Sequence, residues 1–281
     1  MILAHVYQQS QIQDIADFTG DSLGLSRQAV DTDADVIVFC GVRFMAETAS
    51  ILNPQRTVLL PELRAGCPMA DMADAQQIRE MKQNHPDALV VSYVNSTAEV
   101  KAESDICCTS ANAVRVVESL PDNPIIFLPD KNLAAYVAGQ TGREIIPWKG
   151  FCHVHEKLIS PETVRSLKAA HPEALVLVHP ECNQDVASLG DFIGSTTQMM
   201  SHVAESPAQE FIIATEQGMI HPLKKKNPTK TFYATGGICS DMRLITLESV
   251  LNSLQHLQHR IQVLDPVRTR AEQALKKMLS L

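Results

Sequence analysis

A recurring segment constrains the fold of this 281-residue chain more than any other feature. The run His85-Pro86-Asp87-Ala88-Leu89-Val90-Val91-Ser92-Tyr93-Val94-Asn95 returns 86 residues later as His171-Pro172-Glu173-Ala174-Leu175-Val176-Leu177-Val178-His179-Pro180-Glu181. The register then holds without a gap: Ser104-Asp105-Ile106 falls on Gly190-Asp191-Phe192, and Ile125-Ile126-Phe127 on Phe211-Ile212-Ile213. Ten of the 46 positions from His85 to Asp130 are identical, which is little by itself. The shared order of apolar runs, turns and polar tips marks an internal duplication.

Short apolar runs alternate with amphipathic stretches along the whole chain, the pattern of parallel sheets covered by helices on both faces. Ile2–Tyr7, Asp35–Cys40 and Thr57–Leu60 read as strands of a first unit. Between them Gln11–Val30, broken at most at Gly20, and Phe44–Leu52 read as helices. This unit fits the repeat more loosely. Its first crossover reads as longer, its cysteine follows the third strand sooner, and Leu60-Pro61-Glu62 is matched with Leu128-Pro129-Asp130. The expected architecture is α/β: three three-layer αβα sandwich units with parallel sheets, related by a pseudo-threefold axis around a central metal-cluster site. Their bounds are 1–75, 76–160 and 161–240, and C-terminal helices over 241–281 pack on them. In that tail Met242–Leu264 has helical periodicity, and Pro266 restarts a helix with Ala271, Ala274, Leu275 and Met278 as its packed face.

Three cysteines keep the same rhythm. Cys67, Cys152 and Cys239 lie 85 and 87 residues apart, each close behind a strand and a glycine. Free cysteines are usually small core residues, and Cys40, Cys107, Cys108 and Cys182 are read as core or as lying just behind the site. One cysteine per repeat points instead to thiolates converging on an axis. Structural zinc favours Cys-x-x-Cys pairs, which are absent here. Three distant thiolates suit zinc or a [4Fe–4S] cluster with one iron left open. Seven cysteines without a signal-peptide pattern at Met1-Ile2-Leu3-Ala4-His5 suit a reducing compartment, by default the cytoplasm. A net charge of −8, with Lys224-Lys225-Lys226 as the one basic run, argues against nucleic acid as a partner. No apolar run reaches the roughly 18 residues of a membrane span.

Ligands of parallel α/β units gather beyond the carboxyl ends of the strands. There the chain sets polar residues two apart, hence on one side of each strand: His5 and Tyr7, Tyr93 and Asn95, His179 and Glu181. A single such residue is more often hydrogen-bonded core; three matching pairs make a shared site. The next strand of the later two units ends in hydroxyls before a helix, Thr109-Ser110-Ala111-Asn112 and Ser195-Thr196-Thr197-Gln198, with Ser22 as a third. Capping explains such residues, and the same free N–H groups and helix dipole also hold carboxylates or phosphates. The site suits a small, multiply anionic substrate.

Taken together these residues resemble the quinolinate synthases, the A protein of NAD biosynthesis. The resemblance spans essentially the whole sequence. It begins with Ile2-Leu3-Ala4-His5-x-Tyr7-Gln8, Gly20-Asp21-Ser22-Leu23, Phe44-Met45-Ala46-Glu47 and Asn53-Pro54. It continues with Tyr93-Val94-Asn95-Ser96-Thr97, Thr109-Ser110-Ala111-Asn112-Ala113 and Cys152-x-Val154-His155. His179-Pro180-Glu181-Cys182, Gly194-Ser195-Thr196 and Thr215-Glu216-x-Gly218-Met219 complete the ordered set.

The resemblance implies three α/β domains around a [4Fe–4S] cluster held by Cys67, Cys152 and Cys239. The implied reaction condenses iminoaspartate with dihydroxyacetone phosphate to quinolinate, releasing phosphate and two waters. Implied substrate contacts are His5, Ser22, Tyr93, Asn95, Ser110, His179, Glu181 and Thr196, and Tyr7 also matches. Glu181 is the expected general base, with His179, Tyr93 and Tyr7 as proton partners, and the open iron a Lewis acid for dehydration. An aspartate oxidase or dehydrogenase supplying iminoaspartate is the implied protein partner. Val6 stands where many members have Asn, and the chain starts almost at its first strand, without the helix many members carry ahead of it. Competing readings are another iron–sulfur hydro-lyase of the aconitase type, a zinc-stabilised scaffold and a non-catalytic small-anion-binding protein.

Overall fold

The computed structural model describes residues 1–281. Its strands form three sheets of one design. The first holds β1 (Ile2–His5), β2 (Phe18–Gly20), β3 (Val36–Cys40) and β4 (Thr57–Leu59). The second holds β5 (Leu89–Tyr93), β6 (Ile106–Cys108), β7 (Ile125–Leu128) and β8 (Ile145–Pro147). The third holds β9 (Leu175–Val178), β10 (Phe192–Ile193), β11 (Glu210–Ala214) and β12 (Thr231–Ala234). Each sheet runs second, first, third, fourth, with all of these neighbours parallel. In this order the winding reverses between the first and third strands, which opens a crevice beyond their carboxyl ends. Inner strands such as Val36-Ile37-Val38-Phe39-Cys40 and Ile125-Ile126-Phe127-Leu128 are apolar on both faces and buried, because helices cover both sides.

The long helix expected over Gln11–Val30 is not continuous. It resolves into a short helix (Ser10–Ile15), the edge strand β2, and a second helix (Ser22–Asp31). β2 pairs with β1 through Leu3–Phe18, Ala4–Thr19 and His5–Gly20. A three-residue edge strand carries too little alternation to stand out from helical surroundings, and tertiary pairing decides its conformation. With β2 in place the first crossover is not longer: residues 6–17 and 94–105 make it in the first two sheets, 179–191 in the third. The last residues of β1–β4 and β5–β8 then differ by 88 throughout: His5 and Tyr93, Gly20 and Cys108, Cys40 and Leu128, Leu59 and Pro147. Cys67, like Cys152 and Cys239, therefore follows a fourth strand and not a third. The expected match of Leu60-Pro61-Glu62 to Leu128-Pro129-Asp130 fails for the same reason. The counterpart of Asp130 is Val42, since 130 − 42 = 88.

The tail is not the single helical run expected over Met242–Leu264: Met242–Leu244 is a short 3₁₀ turn, and Ile245 and Thr246 are extended. The helix Leu247–His256 ends at Leu257, whose φ of 51° is left-handed. The chain then forms β13 (Arg260–Ile261), which adds antiparallel to β4, so Gln258–Leu264 is not helical. The final helix (Val267–Leu279) buries Ala271, Ala274, Leu275 and Met278, as its periodicity predicts. It packs on helices Arg43–Leu52 and Ala98–Ala102 and on β6, covering parts of the first two sheets. No helix is long and apolar enough to cross a membrane.

Candidate active site

Equivalent positions of the three sheets open on one cavity of about 750 Å³, part of it open to solvent. The first strands deliver His5 and Tyr7, Tyr93 and Asn95, His179 and Glu181. The turns after the second strands deliver Ser22, Ser110 and Thr196, and the loops after the fourth deliver Cys67, Cys152 and Cys239. All the residues expected at the site from sequence thus line the same wall. Cys40, Cys107, Cys108 and Cys182 are buried elsewhere. Val6 packs with Leu177, Phe211 and Ile213 in the core of the third sheet.

Neighbouring residues make the local capping bonds, so the Ser22 and Thr196 hydroxyls are left to the cavity, while that of Ser110 meets Tyr93. Asp21 caps helix Ser22–Asp31 by accepting the Gly24 N–H at 2.8 Å. Ser195 and Gln198 form the capping box of helix Thr196–Glu205, leaving the Thr196 hydroxyl to the cavity. Asn112 Oδ1 accepts both the N–H and the hydroxyl of Thr109, at 2.7 and 3.1 Å, beside Ser110. Neither lysine nor arginine lines the cavity, so an anion would be met by hydroxyls, N–H groups and imidazoles.

A run of polar contacts crosses this wall. The Tyr93 hydroxyl donates to Glu181 Oε1 at 2.5 Å, and Oε2 lies 2.9 Å from His155 Nδ1. His155 Nε2 is 2.9 Å from the Thr215 hydroxyl, which is 2.7 Å from that of Tyr7. The His155 ring stacks on His179 with centroids 4.8 Å apart. Burial alone would raise Glu181, but the His155 charge and hydrogen bond, with His179 and Tyr93, hold its carboxyl at about 2. Burial lowers His5 to about 4 and His179 to about 3, so both rings are neutral at pH 7. Burial and the Glu181 charge push Tyr7 and Tyr93 well up. Asn95 Oδ1 is buried without a partner, an acceptor left for a ligand.

His155 and Thr215 stand in motifs quoted above, yet neither was assigned to the site from sequence. Their signal was weak: His155 comes three residues after Cys152, in a π-helical turn (Val154–Leu158) that no periodicity announces. Lys101 was also missed. It is fully buried, its Nζ donates to the Ser96 carbonyl, and it lies 5.5 Å from the centre of the Phe44 ring. Through that bond it fastens the loop that carries Asn95.

The sulfur of Cys152 and the donor atoms of His155 and Glu181 all lie within 4.8 Å of one another, close enough to hold a metal ion. Cys67, Cys152 and Cys239 line the same cavity, one from each sheet. Burial pushes Cys67 up to about 12 and Cys239 to about 11, and Cys152 is driven up by burial and by Glu181. Such thiols ionise only with a cation beside them.

Comparison with known proteins settles the family. The family model described as quinolinate synthetase A protein matches residues 1–280. The chain belongs to that family. Curated relatives carry the matching name. The quinolinate synthase of Desulforudis audaxviator is 56% identical over 284 residues, spanning 100% of this chain and 93% of that protein. Quinolinate synthase 1 of Methanosarcina acetivorans is 53% identical over 282 residues, spanning 100% and 92%. The quinolinate synthase of Alkaliphilus metalliredigens is 52% identical over 284 residues, spanning 100% and 93%. A quinolinate synthetase A protein is an enzyme of NAD biosynthesis, and the cavity offers the acid–base groups that an enzyme needs.

Proposed function

We propose that the protein condenses iminoaspartate with dihydroxyacetone phosphate to quinolinate in this cavity, releasing phosphate and two waters, with a [4Fe–4S] cluster held by Cys67, Cys152 and Cys239. The observation that carries the reading is that matching positions of three sheets, one cysteine from each, line a single cavity. We take these as three α/β units, 1–75, 76–160 and 161–240, about a pseudo-threefold axis, with 241–281 packed over them. The common strand order supports this. The donors fit the cluster: three soft thiols, one from each sheet, converge on a wall without lysine or arginine. Three protein ligands would leave one iron open. When bound, the cluster supplies a Lewis-acidic iron that assists loss of hydroxyl groups.

Ser22, Ser110 and Thr196 hold carboxylate and phosphate oxygens, helped at Ser22 and Thr196 by helix N-termini. His5 and His179, both neutral, give single hydrogen bonds, and Asn95 Oδ1 accepts from the substrate. Glu181 is the general base, its carboxylate held in place by the Tyr93 hydroxyl on Oε1 and by His155, whose Nδ1 lies 2.9 Å from Oε2. Tyr93 and Tyr7, held in their protonated forms, donate to oxygens as they depart. The cytoplasm is the place of action, with iminoaspartate arriving from an aspartate oxidase or dehydrogenase.

Anaerobically purified protein assayed for iron, sulfide and quinolinate tests this. About four irons per chain are expected, lost when Cys67, Cys152 or Cys239 becomes Ala, together with quinolinate made from both substrates. Quinolinate formed by iron-free protein overturns the reading. The close approach of Cys152, His155 and Glu181 favours a second one, a single bound ion. About one metal per chain without sulfide would establish it.

A further inference from the structure

We infer that Asp130 and Glu216 are positioning residues for two of the cysteine loops, each buried carboxylate holding the loop of Cys152 or Cys239 in shape before any metal arrives. The inference rests on the cluster reading above and deepens it. Its starting point is a backbone bond made in all three units. The N–H three residues past the third strand donates to the carbonyl two residues before the cysteine: Arg43 to Ala65, Lys131 to Gly150 and Gln217 to Gly237, each at 2.8 Å.

On that shared frame the second and third units add a side chain. Asp130 Oδ1 accepts the Leu133 N–H at 2.7 Å, and Oδ2 accepts the N–H of Cys152 itself at 3.1 Å. Glu216 Oε2 accepts the Gly218 N–H at 2.5 Å, and Oε1 accepts the N–H of Cys239 at 3.2 Å, with Arg243 at 3.4 Å. The two carboxylates are 86 residues apart, the offset of the duplication, and both are fully buried. Capping explains one oxygen of each, since each opens a helix or turn. The other oxygen reaches 22 or 23 residues along the chain, to the cysteine. Partners of this kind orient ligands so that the donor atoms need not be ordered when the metal binds. The first unit has Val42 at the matching position, and Cys67 has no such carboxylate.

An amide cannot replace either group. Each carboxylate accepts N–H donors on both of its oxygens, whereas Asn or Gln turns an NH₂ toward one of them. Asp130→Asn, Glu216→Gln and the surface control Glu62→Gln are compared with the parent protein. The metal-free chains are labelled with a thiol reagent and mapped by mass spectrometry. Asp130→Asn should label Cys152 about tenfold faster, with Cys239 and Cys67 unchanged, and Glu216→Gln should do the same to Cys239 alone. Both variants, reconstituted with iron and sulfide, should lose iron to a chelator faster than the parent or Glu62→Gln. Labelling that rises equally at every cysteine, Cys40, Cys107 and Cys108 included, reports general unfolding and overturns the inference, as does no change. A parent protein that takes up no cluster sinks the cofactor reading. The labelling pattern then still decides whether these carboxylates hold the loops.

Discussion

The loop carrying Cys67 and the loops carrying Cys152 and Cys239 share a backbone and differ in what fastens it. All three close with the same 2.8 Å backbone bond. Two residues before the cysteine, the first unit has Ala65 where the others have Gly150 and Gly237. A methyl at Gly150 would run into the Pro129 carbonyl, and one at Gly237 would come within 3.0 to 3.1 Å of Ile159 and Val154. Ala65 is itself buried in the large core that also holds Leu60, Met69 and Val42. The first unit thus secures its loop by apolar packing, and the other two by a carboxylate that accepts the cysteine N–H two residues past a glycine. What the repeat keeps is the path of the main chain, and the side chains that stabilise it are exchangeable.

The largest effect is expected where the units share a position and not a chemistry. Beyond the first strands stand Tyr7, Asn95 and Glu181, and of these Glu181 alone is ionised at neutral pH. Glu181→Gln should lower turnover by about 10² to 10⁴ with iron content unchanged, while Asn95→Ala costs far less. Equal losses in single-turnover assays would erase the distinction.

The strand tips provide the next contrast, His5 against its counterpart Tyr93. Burial holds His5 at about 4 in the folded chain against 6.5 when exposed, and outweighs the opposing charges of Asp21 and Glu181. Between those values the unfolded chain binds more protons, so stability falls as pH drops through the interval, by about 3 kcal/mol for this group. Denaturant unfolding of metal-free protein measures it, and His5→Asn should remove its share. An unaltered slope would break the contrast with Tyr93.

Smaller effects separate the cysteine loops. Gly150→Ala should destabilise by about 1 to 3 kcal/mol through overpacking, and Ala65→Gly by about 1 kcal/mol through backbone entropy. Thermal unfolding of the two variants reads the difference. Identical shifts would mean that the crowding at Pro129 relaxes freely.

The duplication makes the second and third units legible in the sequence, because their strands are long apolar runs and their polar tips recur at one offset. The first unit blurred because β2 is three residues on a sheet edge, and missing it shifted every later equivalence by one strand. Glu62 was paired with Asp130 in consequence, although it lies near the surface with Arg64. His155 and Thr215 escaped for a different reason. Their importance comes from packing against Glu181 and Tyr7, residues 26 and 208 positions away, and no local pattern encodes such a meeting. Lys101 escaped because a lysine amid a helix pattern reads as solvated surface, until the final helix closes over that face.

The pairing of a capping residue with a cavity hydroxyl has a consequence for how such a site can change. Asp21 and Ser195 secure their helices, and Ser22 and Thr196, one position further on, are spared that duty. Architecture and recognition are thereby written on adjacent but separate letters. A lineage can trade the hydroxyl wall for another while the scaffold beneath keeps its grip, so new ligands become reachable without passing through a loosened fold.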